Sequence, residues 1–237
     1  MIPDQWLSKI LNRPVYRLEV DRSFSERFEE IKREEETVFR SKPVFIHAKV
    51  PTEQLLNIQT LEDLGFHLVD TNIVFNKPLS ENFNLLGNCE VRFAIPEDET
   101  QAVGLAGKFI ACSRFHQDNN FSIETANKLK AEWVRNYFSG KSGQAMVIAL
   151  VEGVIVGFLQ LLISKDGIMR IDLMAVDAGQ QRKGIGKDMI AFAEMNSCGI
   201  KQVCVGTQIV NIPSIRFYQN LGFNMAEAHY VFHYHNL

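Results

Sequence analysis

The chain is expected to fold as an α/β or α+β protein, and three observations point there. Short apolar runs alternate with stretches of helical period along its whole length. Its 237 residues, 46% hydrophobic and 22% charged, have a globular composition and are enough to bury most of the apolar surface. A stretch rich in Asn and Ser at 78–89, containing Gly87, divides two segments that each carry strand and helix patterns. A domain junction is expected there, with one unit at 1–88 and a second at 89–237.

In the first unit, 15–20 alternates like a strand. The charged stretch 24–38 has helical period, and its Glu29, Glu30, Lys32, Arg33, Glu34 and Glu35 read as a solvated helix face. Residues 44–50 read as a buried strand. Thr52 is the expected N-cap of the next helix, Gly65 its C′ stop, and 67–75 the strand that follows. In the second unit a strand at 91–95 precedes a helix from Pro96 to Ile110. A polar loop, 113–121, leads to an amphipathic helix at 122–138. Strands at 145–151 and 154–164 meet at a turn on Glu152-Gly153. Next come a strand at 168–176, a glycine-containing loop and a helix to Asn196. The chain ends with a strand at 202–206, a short helix at 214–221 and a strand at 225–235.

Residues 44–75 and 203–232 echo each other as strand, helix, Leu-Gly-Phe, strand, with Leu64-Gly65-Phe66 answered by Leu221-Gly222-Phe223. Leu-Gly-Phe is a common helix stop, the glycine taking the left-handed conformation and the Phe packing back. A shortened copy of the C-terminal unit in the N-terminal one would explain the repeated flanking order as well.

Several function classes are disfavoured. A formal net charge of -3 gives no general attraction to nucleic acid. Met1 to Asp4 shows neither a basic nor an apolar leader pattern. The apolar run 154–163 is interrupted by Gly157 and Gln160 and is too short to span a bilayer. Cys89, Cys112, Cys198 and Cys204 form no CxxC pair, so they read as thiols of a reducing cytoplasm, and no metal is expected.

The chemistry concentrates in Ala178-Gly179-Gln180-Gln181-Arg182-Lys183-Gly184-Ile185-Gly186-Lys187, between a strand and a helix. Unpaired N–H groups and the macrodipole make a helix start attractive to anions, and glycines let a phosphate approach the main chain. The segment is not a P-loop, because Ile185 follows Gly184, nor a dinucleotide fingerprint, because Met189 stands where a third glycine is needed. Gln181-x-x-Gly184-x-Gly186 does resemble the pyrophosphate loop of the GCN5-related N-acetyltransferase (GNAT) superfamily. Asn211-x-x-Ser214-x-x-x-Tyr218-x-x-x-Gly222-Phe223 is similar to that superfamily's last helix.

The resemblance implies the GNAT acyl-CoA N-acyltransferase fold, an α+β architecture with a mixed, mostly antiparallel sheet flanked by helices. The unit at 1–88 would be a truncated half of the same fold. It also implies acetyl-CoA as acyl donor. Gln181, Arg182, Lys183, Gly184, Ile185, Gly186 and Lys187 would hold it, with Met174, Ala175, Val176, Asn211 and Ser214. Gly186→Val should then clash with the pyrophosphate. Strand-edge N–H groups at 174–176 would polarise the thioester carbonyl, and Tyr218 would protonate the departing thiolate.

A narrower similarity is to the dTDP-fucosamine acetyltransferase family. It is carried by Leu64-Gly65-Phe66-x-Leu68-Val69-Asp70-Thr71, by Ser113-Arg114-Phe115-His116-x-Asp118 with Glu132-Trp133-Val134-Arg135-Asn136, and by Thr207-Gln208 before Asn211. It implies an amino sugar carried on a nucleotide diphosphate as acceptor, and a homodimer. Arg114, His116, Asp118 and Gln208 are the expected acceptor contacts, Arg114 for the phosphates. For the base that takes the amine proton, Asp70, His116, Asp118, His229 and a water relay all stand, with Asp70 put first. A route through a cysteine is disfavoured, since no Cys is placed with a His and an Asp or Asn. His229, His233 and His235 alternate along one strand and read as an exposed polar face, while Phe115 and Trp133 read as packing residues.

Overall fold

The computed structural model describes residues 1–34, 36–40, 43–79, 85–109 and 112–237. In chain order the elements are β1 (Ile2–Pro3), α1 (Gln5–Leu11), β2 (Val15–Leu18), α2 (Phe28–Glu34), α3 (Glu36–Arg40), β3 (Val44–Pro51), α4 (Leu55–Asp63), β4 (His67–Pro78) and β5 (Glu90–Phe93). They continue as α5 (Glu99–Phe109), α6 (Ile123–Phe138), β6 (Ala145–Val151), β7 (Val154–Ile163), β8 (Ile168–Val176), α7 (Ile185–Met195), β9 (Gln202–Gln208), α8 (Ile212–Asn220) and β10 (Asn224–Asn236).

One ten-stranded sheet runs in the order β1-β2-β3-β10-β4-β9-β8-β7-β6-β5. Every neighbouring pair is antiparallel except β2/β3 and β8/β9. Alternation along β6 sends Val147 and Ala149 to one face and Met146, Ile148 and Leu150 to the other. The first face packs against α7 and α8 through Met189, Ile190, Tyr218 and Phe223. The second packs against α5 and α6 through Ala102, Ala106 and Val134. The β6/β7 connection is a two-residue turn with both central residues at positive φ, Glu152 at 51° and Gly153 at 77°, as the twist of a hairpin favours.

β4 lies between β10 and β9, so residues on both sides of Gly87–Cys89 build one continuous sheet. The pairing has an internal two-fold pattern. Val15 to Leu18 against Phe45 to Ala48 is answered by Ile168 to Ile171 against Gln202 to Val205, each a parallel ladder of four pairs. Asn72 opposite Gln208 is answered by His229 opposite Pro51. The central β10/β4 ladder answers itself, Asn224 opposite Asn76 exchanging with His233 opposite His67. The two Leu-Gly-Phe stops sit at equivalent places, with Gly65 at φ 85° and Gly222 at φ 82°.

Some local expectations change. The stretch 24–38 forms a short 3-10 turn at Phe24–Arg27 and then α2 and α3, instead of one helix. Thr52 does not cap α4. Pro51 still belongs to β3, the Thr52 N–H is bonded to the Ala228 carbonyl, and the helix starts after Gln54. Residues 80–84 of the expected junction and Ile110 lie outside the described residues. The histidine row is not an exposed face, because β10 is central: His233 is 1% exposed and paired with strands on both sides.

Candidate active site

β8 and β9 stay paired only to Ile171 and Val205, although β8 runs on to Val176 and β9 to Gln208. The strands therefore diverge into a wedge whose inner edges lack a strand partner. Asp172 contributes to this. It is the extra residue of a β-bulge opposite Gln160 and Leu161, and it reverses the alternation of β8. Ile171 thus faces the α7/α8 core, while Leu173 and Ala175 face α5 and α6.

At the end of β8, Asp177 Oδ1 accepts the Gly179 N–H at 2.8 Å and starts a short 3-10 turn. Arg182 at φ 63° and Gly184 at φ 85° then swing the chain into α7. Among the described residues, the N–H groups of Gly184, Ile185, Gly186 and Lys187 have no protein acceptor, as the first turn of a helix leaves them. Gln181, Arg182 and Lys183 are exposed. Gln181 Nε2 donates to the Val176 carbonyl at 3.2 Å, which ties the loop to the mouth of the wedge. Leu86 and Asn88 brace the loop from one side. The Leu86 N–H donates to Asp188 Oδ1 at 2.7 Å, and Asn88 Nδ2 donates to the Lys183 carbonyl at 2.9 Å. These residues fit a diphosphate: main-chain donors without a protein acceptor and a helix dipole lie beside the wedge, with the exposed cations Arg182 and Lys183 next to them. Gly186 is tighter than the sequence suggested. A Cβ there would lie 2.6 Å from Met174 Cε and 3.0 Å from Phe217 Cζ, so Gly186→Val would collide with the protein itself.

Tyr218 packs on α8 among Phe75, Phe217 and Phe223, in the same apolar cluster as Ile171 and Val205 where the wedge opens. Burial raises its phenol well above the ordinary value, so the hydroxyl keeps its proton at neutral pH. Asn211 Oδ1 caps α8 by accepting the Ser214 N–H at 3.3 Å, and Ser214 lies one turn before Tyr218.

On the α6 face a cavity of about 570 Å³ spans the central strands, walled by β2 to β4, β9, β10, α6 and the 113–115 turn. Asp70, Arg114 and Gln208 line it, as do Lys49 and Lys130. Asp70 is 7% exposed, and neither carboxylate oxygen has a well-formed hydrogen bond. Burial raises its pKa, against the pull of the Lys49, Arg114 and Lys130 charges. Burial lowers Arg114 to about 10, which leaves it charged at neutral pH. Burial and then the Arg114 charge bring Lys130 down to about 8. The same two causes hold His47 near 4, so it is neutral. Next to the cavity, Asp172 Oδ2 accepts from Trp133 Nε1 at 2.9 Å and from Gln160 Nε2 at 3.0 Å, and burial raises its pKa.

Two expected acceptor contacts lie elsewhere. Asp118 is buried under β10, where Oδ2 takes His233 Nδ1 at 2.6 Å and His235 Nε2 at 2.7 Å. Burial opposes its charge, but those bonds outweigh it and hold the carboxyl below the usual range. It anchors the 113–121 loop to the sheet. His116 is engaged by Ser113 Oγ at 2.7 Å and Asn127 Oδ1 at 3.0 Å and does not wall the cavity. His229 pairs with Glu227 at 3.6 Å, also away from it. Trp133 and Phe115 pack as expected, and both also border the cavity.

Lys49 and Lys130 were missed. Lys49 is the one charged residue in the otherwise buried run of β3, and Lys130 falls on the buried stripe of α6 with Ala126, Leu129 and Val134. A cation placed against the hydrophobic pattern was the available signal.

Residues 115–223 match the acetyltransferase (GNAT) family. Over 140 residues the chain is 32% identical to the spore coat polysaccharide biosynthesis protein SpsD of Bacillus subtilis (strain 168), covering 58% of this chain and 48% of that one. The chain thus spans about half the length of this curated relative. A functionally unknown conserved protein from Staphylococcus epidermidis ATCC 12228 has a similar fold, with TM-score 0.64 at 14% identity over 94% of this chain and 84% of that one. A GCN5-related N-acetyltransferase from Kribbella flavida gives TM-score 0.59 at 14% identity, over 91% and 77%. No described helix is long and apolar enough to cross a membrane. The sheet and its flanking helices follow the GNAT fold of these solved structures, and residues 115–223 form an acetyltransferase (GNAT) domain.

Proposed function

We propose that the protein transfers an acetyl group from acetyl-CoA to the amine of a nucleotide-linked amino sugar, of the dTDP-4-amino-4,6-dideoxyhexose type, for a surface polysaccharide. The observation that carries this is Asp70, a buried carboxylate without a well-formed hydrogen bond, in a cavity that it shares with Lys49, Arg114 and Lys130. It suits an acceptor that brings one amine and an anionic group. A polyamine or aminoglycoside would meet Lys49, Arg114 and Lys130 instead of an acidic cleft. The polysaccharide role named for the Bacillus subtilis relative supports the sugar reading.

Acetyl-CoA, when bound, supplies the activated acyl group as a thioester. The α7 N–H groups from Gly184 to Lys187, with Arg182 and Lys183 beside them, hold its diphosphate. Gln181, Asn211 and Ser214 shape the loop and the start of α8. The N–H groups of Met174 and Val176, which strand alternation turns away from β7 and toward the wedge, donate to the carbonyl oxygen as negative charge develops there, while Ala175 between them stays in the β7 ladder. Asp70 takes the proton that the amine loses, and its raised pKa makes it a stronger base than an ordinary carboxylate. Tyr218 gives a proton to the departing sulfur. The wedge brings the two reactants together, so orientation supplies much of the rate. Gln208, where β9 ends on the cavity, and Arg114 contact the acceptor.

We read residues 1–88 as a shortened GNAT-like unit and 89–237 as the full domain, an assignment that the two-fold pattern of the ladders supports. The protein would act in the cytoplasm, as a homodimer. The test is release of free thiol from acetyl-CoA, followed across dTDP-linked amino sugars, free amino sugars, polyamines and peptide N-termini. Turnover confined to the nucleotide-linked acceptors is expected. Equal turnover on polyamines would sink the proposal.

A further inference from the structure

The cavity treats acids and bases unequally. Glu19 and Asp21 stand on its rim, but each already has a partner: Arg17 at 3.1 Å for Glu19, and Arg27 at 2.8 Å for Asp21. Lys49, Arg114 and Lys130 do not. The ion pairs near them involve other groups, such as His47 with Asp4, and among the described residues none includes these three cations. Lys49 Nζ reaches only the Asn72 side-chain oxygen, at 3.3 Å. Lys130 Nζ stacks over the Trp133 ring at 4.9 Å, and the Arg114 guanidinium over the Phe115 ring at 4.7 Å.

Burying Lys130 with no carboxylate in contact is unfavourable: burial and the Arg114 charge lower its pKa to about 8 even though Asp172 and Asp70 pull the other way. A fold that only needed packing there would take methionine or leucine.

The two-fold pattern sharpens the point. The C-terminal wedge begins where the β8/β9 ladder stops at Ile171 and Val205, and its next β9 residue is Gly206. The N-terminal ladder stops at Leu18 and Ala48, and the next β3 residue is Lys49. The residues after Leu18 also line the cavity and include no glycine before α2. The N-terminal copy therefore ends its parallel ladder at the matching place, with β2 stopping at Leu18 while β3 runs on to Pro51, lacks a glycine loop, and carries a lysine where its mate has only backbone.

We propose that Lys49, Lys130 and Arg114 form an anion subsite for the diphosphate of a nucleoside-diphosphate acceptor, lodged in the N-terminal counterpart of the thioester wedge. This rests on the cavity being the acceptor site, and it assigns the two lysines as specificity-determining residues. Charge-assisted hydrogen bonds from three converging cations suit a diphosphate, and Asp70 between them is left for the amine.

The test is calorimetric titration of dTDP and of UDP into protein saturated with coenzyme A, which leaves the α7 loop closed to the titrant. At least one nucleotide should bind, and thymidine or uridine at least tenfold more weakly. Lys49→Met and Lys130→Met should each weaken nucleotide binding about tenfold or more, while Lys141→Met, exposed and outside the cavity lining, leaves it unchanged. Retained coenzyme A affinity certifies the fold of each variant, and Lys49, accessible from the cavity, guards against a packing defect at Lys130. Equal binding of nucleoside and nucleotide, no binding of either nucleotide, or wild-type affinity in both lysine variants overturns the proposal. Nucleotide binding that depends on the lysines, with no acetylation of any nucleotide-linked amine, leaves the subsite standing and removes the proposed reaction. Acetylation with unchanged KM in both variants does the reverse.

Discussion

Replacing Asp70 by Asn separates stability from chemistry at one atom pair. The carboxylate is 7% exposed, its oxygens lack well-formed partners, and burial raises its pKa even against three nearby cations. The folded state therefore tolerates the charge poorly, with the attraction of those cations already counted. A buried polar group left unpaired costs about 1–3 kcal/mol. Asn keeps the shape and discards the charge, so Asp70→Asn should stabilise the protein at pH 7 by about 1 kcal/mol, a rise in Tm of about 2–4 °C for a chain of this length. The pH dependence has a definite sign. A carboxyl more easily protonated when folded than when unfolded makes stability fall as pH rises through the interval between the two pKa values. Wild type should show that fall above the usual carboxylate range and Asp70→Asn should not. Turnover should drop by about 10²–10⁴ with the base gone. Calorimetric melting from pH 4 to 8, beside thiol-release kinetics, reads both. An Asp70→Asn protein that melts lower and turns over normally would refute the reasoning on both counts.

Tyr218→Phe should lower kcat by about 10²–10⁴ and leave coenzyme A affinity near wild type, since the ring packing with Phe75, Phe217 and Phe223 is kept; steady-state kinetics with a binding titration checks it. Gly184→Ala forces an L-residue to φ 85° and puts its Cβ 2.3 Å from Leu86 Cδ1. A cost of about 1–2 kcal/mol in stability is expected from the backbone alone, together with weaker coenzyme A binding. Lys130→Met should stabilise at pH 7, by at most about 3.5 kcal/mol, at about 1.4 kcal/mol for each unit separating about 8 from the ordinary 10.5. Because the unfolded chain still binds that proton between those values, wild-type stability should climb across the interval and the variant's should not; melting at pH 7, 8 and 10 distinguishes them.

The C-terminal half was the more legible. Gln181, Gly184 and Gly186 follow a strand and open a helix, and Asn211, Ser214 and Tyr218 recur at helical spacing, so local patterns sufficed to place them at the starts of α7 and α8 and along α8. The Leu-Gly-Phe echo likewise marked two helix stops that occupy equivalent places in the sheet. What could not be read was long-range. Asp118 looked like a candidate acceptor contact because its burial under His233 and His235 depends on β10 returning between β3 and β4. The same return buried His233 and left His229 and His235 half-buried instead of exposed. The cavity itself is assembled from strands far apart in sequence, so Lys49 and Lys130 were visible only as charges set against an apolar pattern. Thr52 failed as a cap because tertiary pairing extended β3 past a local start signal.

The central claim is that the main-chain N–H groups opening α7 grip the diphosphate of the acyl carrier. Hydrogen exchange of the peptide spanning 182–188, with and without coenzyme A, tests it most directly. The account predicts strong slowing of exchange in that peptide on addition of coenzyme A, lost in Gly184→Ala. Binding of coenzyme A with exchange unchanged there and slowed elsewhere would contradict it.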